Sequence, residues 1–149
     1  MKRAVVTIQL GLIILLLSSF NSKMDVAFHL TIEVDGLRNS NGIVLFALYN
    51  RDDSFPDEHY KKCIKKLTCK IIEESSTVTF ESLPEGKYAI SILHDENSDG
   101  KINRGLILPK EGIGFSNYES IGFSNRPAFQ KASFNLNSDM KLKVKIVYL

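Results

Sequence analysis

From Val26 the chain alternates, with Val26, Phe28, Leu30, Ile32 and Val34 apolar against Ala27, His29, Thr31 and Glu33. A period of two is the mark of a half-buried strand. Asp35 to Gly42 is rich in Asp, Gly, Asn and Ser, and Ile43 to Tyr49 follows as an apolar run of strand length, so the pair predicts a β-hairpin. Tyr60, Cys63, Ile64 and Leu67 then fall at i, i+3, i+4 and i+7 among four lysines, a spacing that predicts one short helix with Ser54 as a candidate cap. Lys61, Lys62, Lys65 and Lys66 are its solvated face.

Short strands are expected at Thr68 to Ile72 and Thr77 to Phe80, a turn at Leu83-Pro84-Glu85-Gly86, and a strand from Lys87 to His94. Asp95 to about Lys131 holds most of the glycines and no sustained period, the pattern of a long ordered loop. Strand character returns at Ala132 to Leu136. It is clearest at the end, where Met140, Leu142, Val144, Ile146 and Tyr148 face away from Lys141, Lys143 and Lys145. About seven short strands, one helix and a long loop predict an all-β, antiparallel sandwich of immunoglobulin-like or transthyretin-like kind.

Residues 1–22 stand apart from this pattern. Lys2 and Arg3 precede an apolar stretch, Ala4 to Leu17, closed by small polar residues, which is the plan of a signal peptide. The apolar part is too short for the roughly 20 residues of a membrane span. Cleavage between Ser18 and Lys23 leaves a single domain over 23–149, exported to the periplasm or beyond, with no stable membrane span. The chain has 19 Lys and Arg against 17 Asp and Glu, and Lys2 and Arg3 leave with the signal, so the remainder balances. The argument for polyanion binding from overall charge thereby fails, and nucleic acid is not an expected partner. A disulfide between Cys63 and Cys69 and a pair of free thiols both fit the sequence, and geometry decides between them.

Candidate chemistry concentrates in the long loop. Asp95-Glu-Asn97-Ser-Asp99-Gly100-Lys101-Ile102-Asn103 matches the first nine positions of a Ca²⁺ loop. Such a loop surrounds a hard cation with side-chain oxygens at its first, third and fifth positions and a carbonyl at its seventh. Those are Asp95, Asn97, Asp99 and the Lys101 carbonyl, with Asn103 direct or through water. The twelfth position is Leu106 rather than glutamate, and Glu111 is the candidate to fold back in its place. Two echoes, Gly114-Phe115-Ser116-Asn117 and Gly122-Phe123-Ser124-Asn125, place Phe115, Tyr118, Phe123 and Arg126 as a candidate surface for a protein, peptide or glycan. The alternative is that the phenylalanines, Phe129 included, plug the loop onto the core. Catalytic signatures are missing, and His94 with Asp95 or Glu111 is the one pairing a hydrolase would use. The expected product is a monomeric, non-enzymatic binding or structural module braced by Ca²⁺.

Three segments taken together carry a resemblance: Leu83 to Ile102, Pro109-Lys-Glu-Gly-Ile-Gly-Phe-Ser-Asn117, and Arg126-Pro-Ala-Phe-Gln-Lys-Ala-Ser-Phe134. In these the chain resembles the exported bacterial family known as domain of unknown function 2141, across nearly all of 23–149. The resemblance implies a secreted β-sandwich and brings no activity. The lysine-rich Tyr60 to Leu67 segment with its cysteines has no match in the family pattern.

Overall fold

A computed structural model describes residues 26–105 and 108–149; the expected signal peptide, 1–22, and Leu106 lie outside them. Eight strands run β1 Ala27–Val34, β2 Ile43–Tyr49, β3 Lys65–Cys69, β4 Ser76–Pro84, β5 Gly86–Asp95, β6 Gly112–Phe115, β7 Phe134–Leu136 and β8 Met140–Lys143. They form two sheets. One has the order β4-β1-β8, and the other β3-β2-β5-β6, with β7 paired to the start of β5. The molecule is an all-β sandwich, antiparallel except where β8 runs parallel to β1.

The even positions of β2 and β5 explain how the sheets hold together. Val44, Phe46, Leu48, Ile90 and Ile92 pack with Leu30, Ile32 and Val34 of β1 into one buried cluster between the sheets. Their odd neighbours Leu45, Ala47, Tyr49, Ala89 and Leu93 face the other way and are buried too. That second face is covered by Phe55, Tyr60, Phe115, Tyr118 and Phe129, so the loops form a third layer. Burial on both faces is why β2 reads as an unbroken apolar run instead of alternating. Edge-to-face contacts join Phe55 to Tyr49, Phe115 and Phe129 at centroid distances of 5.3, 5.5 and 6.3 Å.

Several expectations are corrected. β1 and β2 are not a hairpin, because the Asp35–Gly42 connection crosses between sheets, with Leu37 buried in the core and its N–H held by the Glu74 carbonyl. No helix spans Tyr60 to Leu67. Tyr60 takes a positive φ of 52°, and Lys65–Cys69 pairs with β2 as an edge strand in which Leu67 and Cys69 face the inter-sheet core. A row of β2 backbone groups needing partners outweighs a helical spacing with no apolar face to receive it. Ser54 caps nothing; it sits in a 3-10 turn, Asp52–Ser54, with its hydroxyl donating to the Arg51 carbonyl. Among the described residues one α-helical turn occurs, α1 Phe129–Ala132, at the end of the stretch expected as loop and overlapping the expected strand only at Ala132. The long loop contains β6, a strand its glycines conceal.

Cys63 and Cys69 are both free. Cys63 packs against the outer cluster and Cys69 against the inter-sheet one, so they lie on opposite faces of the same sheet.

Candidate functional site

The Asp95 to Asn103 run leaves the end of β5 as a tight, self-bonded loop. Asp95 is fully buried, and its carboxylate accepts the N–H groups of Asp99 at 3.1 Å and Gly100 at 2.7 Å. The Asn97 side-chain oxygen accepts the Asp99 N–H, and the Asp99 carboxylate accepts the Lys101 N–H and the side-chain amides of Asn97 and Asn103. The four oxygen-bearing side chains expected around a cation therefore do surround one turn. These contacts hold the exposed Asp99 carboxyl below the usual range, led by the Asn97 amide.

Glu111 folds back onto this loop. Its buried carboxylate accepts the Glu96 N–H at 3.1 Å and the Asn103 N–H at 3.0 Å, clamping both ends of the run. Among the described residues no group of three or more His, Cys, Asp and Glu side chains converges as a metal-ligand set. Toward the Asp99 carboxylate, Asn97 and Asn103 turn their amide nitrogens.

Glu96 is held from the other side. Arg38 donates to it through Nε and Nη2, and Asn39 adds its amide. The Arg38 guanidinium, followed by the Asn39 amide, holds the Glu96 carboxyl down to about 2. A folded value below the unfolded one contributes stability that is complete above the ordinary value of 4.5 and is lost as pH falls toward 2. Arg38 is 44 % exposed, so water screens the pair. Glu96→Gln is expected to cost about 1–2 kcal/mol at neutral pH and to flatten the stability curve across that acid window. Urea midpoints measured from pH 6 downward check this, and an unchanged slope contradicts it.

His94 turns away from the pocket and from the Asp95 loop. It is fully buried, with Nδ1 2.7 Å from the Tyr148 hydroxyl and Nε2 3.0 Å from the Asn41 carbonyl. A carbonyl only accepts, so Nε2 carries the proton and the tyrosine donates to Nδ1. Both ring nitrogens are committed, as are the carboxylates of Asp95 and Glu111, which weighs against a proton-transfer role for this set.

Past Asn103 the chain forms a ribbon, with the Gly105 N–H bonded to the Leu108 carbonyl and the Lys110 N–H to that of Asn103. Ile102, Arg104, Leu108 and Pro109 of this ribbon make one wall of a pocket of about 400 Å³. Ile113 and Phe115 of β6 make its back, Ile121 to Pro127 the second wall, and Pro56 to Glu58 with Leu149 the rim. The two echoes thus meet in different roles. Phe115 is a buried anchor beside Ser116, whose hydroxyl donates to the Ala132 carbonyl and accepts the Ile90 N–H. Phe123 stands at the tip of a tight Gly122–Asn125 turn, 76 % exposed.

Phe115, Phe123 and Arg126 line the pocket together. Tyr118 is buried beneath it, donating its hydroxyl proton to the Arg126 carbonyl and accepting the Ala128 N–H. Phe129 is a core plug. Pro56, Leu108, Ile121 and Leu149 were not singled out by sequence, because apolar residues scattered without period carry no local signal.

A family model described as "Uncharacterized protein conserved in bacteria (DUF2141)" matches residues 32–144. Neither a curated protein nor a solved structure matches the chain.

Proposed function

The chain belongs to the DUF2141 family, and we propose that it is an exported, non-enzymatic binding module whose ligand occupies the pocket between the Ile102–Pro109 ribbon and the Ile121–Pro127 turn. One observation carries this reading: an apolar hollow of about 400 Å³ opens to solvent through exposed Phe123, Leu108 and Leu149. Ligand pockets run from roughly 300 Å³ upward and are mostly apolar with a few polar groups. The charge-then-apolar plan of residues 1–22 supports export.

The Asp95 loop would then serve as a brace, since Ile102 and Arg104 of the pocket wall continue directly from it. Its oxygens fit a weak Ca²⁺ site: Asp95, Asn97, Asp99 and Asn103 side chains with the Lys101 carbonyl would hold the ion, which neutralises their charge. Glu111 already holds the loop closed through backbone N–H groups.

The test is a fluorescence titration with N-phenyl-1-naphthylamine, a neutral apolar probe, on protein expressed from the full chain and purified as the cell processes it. Binding is expected, and Phe123→Ser with Leu149→Ser should weaken it about ten-fold, the order expected for losing two partly exposed apolar contacts. Ca²⁺ at about ten times its Kd should add about 1.4 kcal/mol to stability, an increment that Asp99→Ala removes. Absence of probe binding would contradict the pocket reading, and a melting curve indifferent to Ca²⁺ the brace.

A further inference from the structure

Resting on the pocket reading, we infer that the ligand is an amphipathic single-chain carboxylate, its apolar part inside the pocket and its carboxylate paired with Arg126. Six large hydrophobic side chains are exposed among the described residues, and three of them, Leu108, Phe123 and Leu149, ring this one opening. That concentration selects an apolar body, because single exposed hydrophobics elsewhere need no explanation.

The charged residues of the lining select the head group. Asp57, Glu58, Arg104 and Arg126 all border the pocket. Glu58 and Arg104 neutralise each other in an ion pair. The Asp57 carboxylate is spent on backbone, one oxygen accepting the His59 N–H at 3.1 Å and the other the Lys62 N–H at 2.6 Å. Arg126 alone of the four has neither an ion pair nor a side-chain hydrogen bond among the described residues. Its backbone is nonetheless fixed, because the Tyr118 hydroxyl holds its carbonyl at 3.0 Å. A guanidinium so placed presents a planar fork suited to a carboxylate. The volume, near the lower end of ligand pockets, suits one chain or ring inside.

Displacement of bound N-phenyl-1-naphthylamine by decanoate, decanol and decyltrimethylammonium, all below their micellar concentrations, separates the head groups on a common chain. Decanoate should displace the probe about three- to five-fold more tightly than decanol, the worth of an exposed ion pair, with the ammonium weakest. Arg126→Ala should abolish the preference, bringing decanoate to the affinity that the same variant has for decanol, and Arg126→Lys should keep part of it. Decanol or the ammonium matching decanoate overturns the inference, as does a preference that survives Arg126→Ala. In either case probe binding itself would still stand for the pocket. Failure of the probe to bind the unaltered protein removes pocket and ligand class together.

Discussion

Gly42→Ala is expected to destabilise the protein by about 3–5 kcal/mol, since its added Cβ would make the closest contact at any described glycine. Gly42 has a φ of +68°, and a Cβ built on it would lie 1.9 Å from the Asp95 carbonyl oxygen and within 2.8 Å of the Glu96 backbone. Both obstacles are main chain at the end of β5, where the Asp95 loop begins, so no rotamer change relieves them. Gly36 supplies the control: its φ is +66°, yet nothing lies within 4 Å of an added Cβ. Gly36→Ala should therefore cost only the left-handed backbone penalty, about 1 kcal/mol. Urea unfolding of the two variants checks this, and equal losses would contradict the account of the Gly42 contact.

Glu111→Ala should cost about 2–5 kcal/mol, because it strands two N–H groups, of Glu96 and Asn103, that a buried carboxylate now accepts. Glu111→Gln, which retains one acceptor oxygen, should recover about half of the loss. The effect should reach function as well. Asn103 lies between Ile102 and Arg104, so releasing its N–H loosens the ribbon wall and should lower probe affinity at temperatures where the variant remains folded. Thermal melts paired with probe titration test both halves. Unaltered affinity in a folded Glu111→Ala protein would detach the clamp from the pocket.

The alternating residues of β1 and β8 announce themselves in the sequence, because each strand has one buried and one wet face. The terminal pattern outlasts its strand. Beyond β8, Val144, whose N–H still donates to the Glu33 carbonyl, and Ile146 stay buried and Lys145 exposed, while Val147 bonds to Ile113 and carries the chain over to the other sheet. Local pattern reports the face a residue turns to, and is silent about the sheet it belongs to. For the same reason β1 and β2 look like hairpin partners although the connection between them crosses the sandwich. In Lys65–Cys69 helical and strand spacing coincide, since Cys63, Leu67 and Cys69 satisfy both in part. The deciding factor, the open edge of β2, lies some twenty residues away in sequence.

The site divides in the same manner. The Asp95 loop is legible because its side chains bond to backbone two to five residues ahead, a local code. Spacing names Glu111 as a carboxylate for a cation, whereas in the fold its two oxygens accept the Glu96 and Asn103 N–H groups as a backbone clamp. The pocket is built from six separate stretches of chain, and Phe115 and Phe123 share a motif while one is buried and the other exposed. Nothing in four identical letters distinguishes them. The distinction comes from β5, which Phe115 pairs with and Phe123 does not.

Methyl-resolved NMR of the protein during addition of N-phenyl-1-naphthylamine puts the pocket to its most direct test. The account predicts shifts at Ile102, Leu108, Ile113, Ile121 and Leu149, which line the cavity, and none at Ile72, which is 72 % exposed at the β3–β4 turn away from it. Shifts centred on Ile72, or a cavity set that stays still while the probe binds, would contradict it.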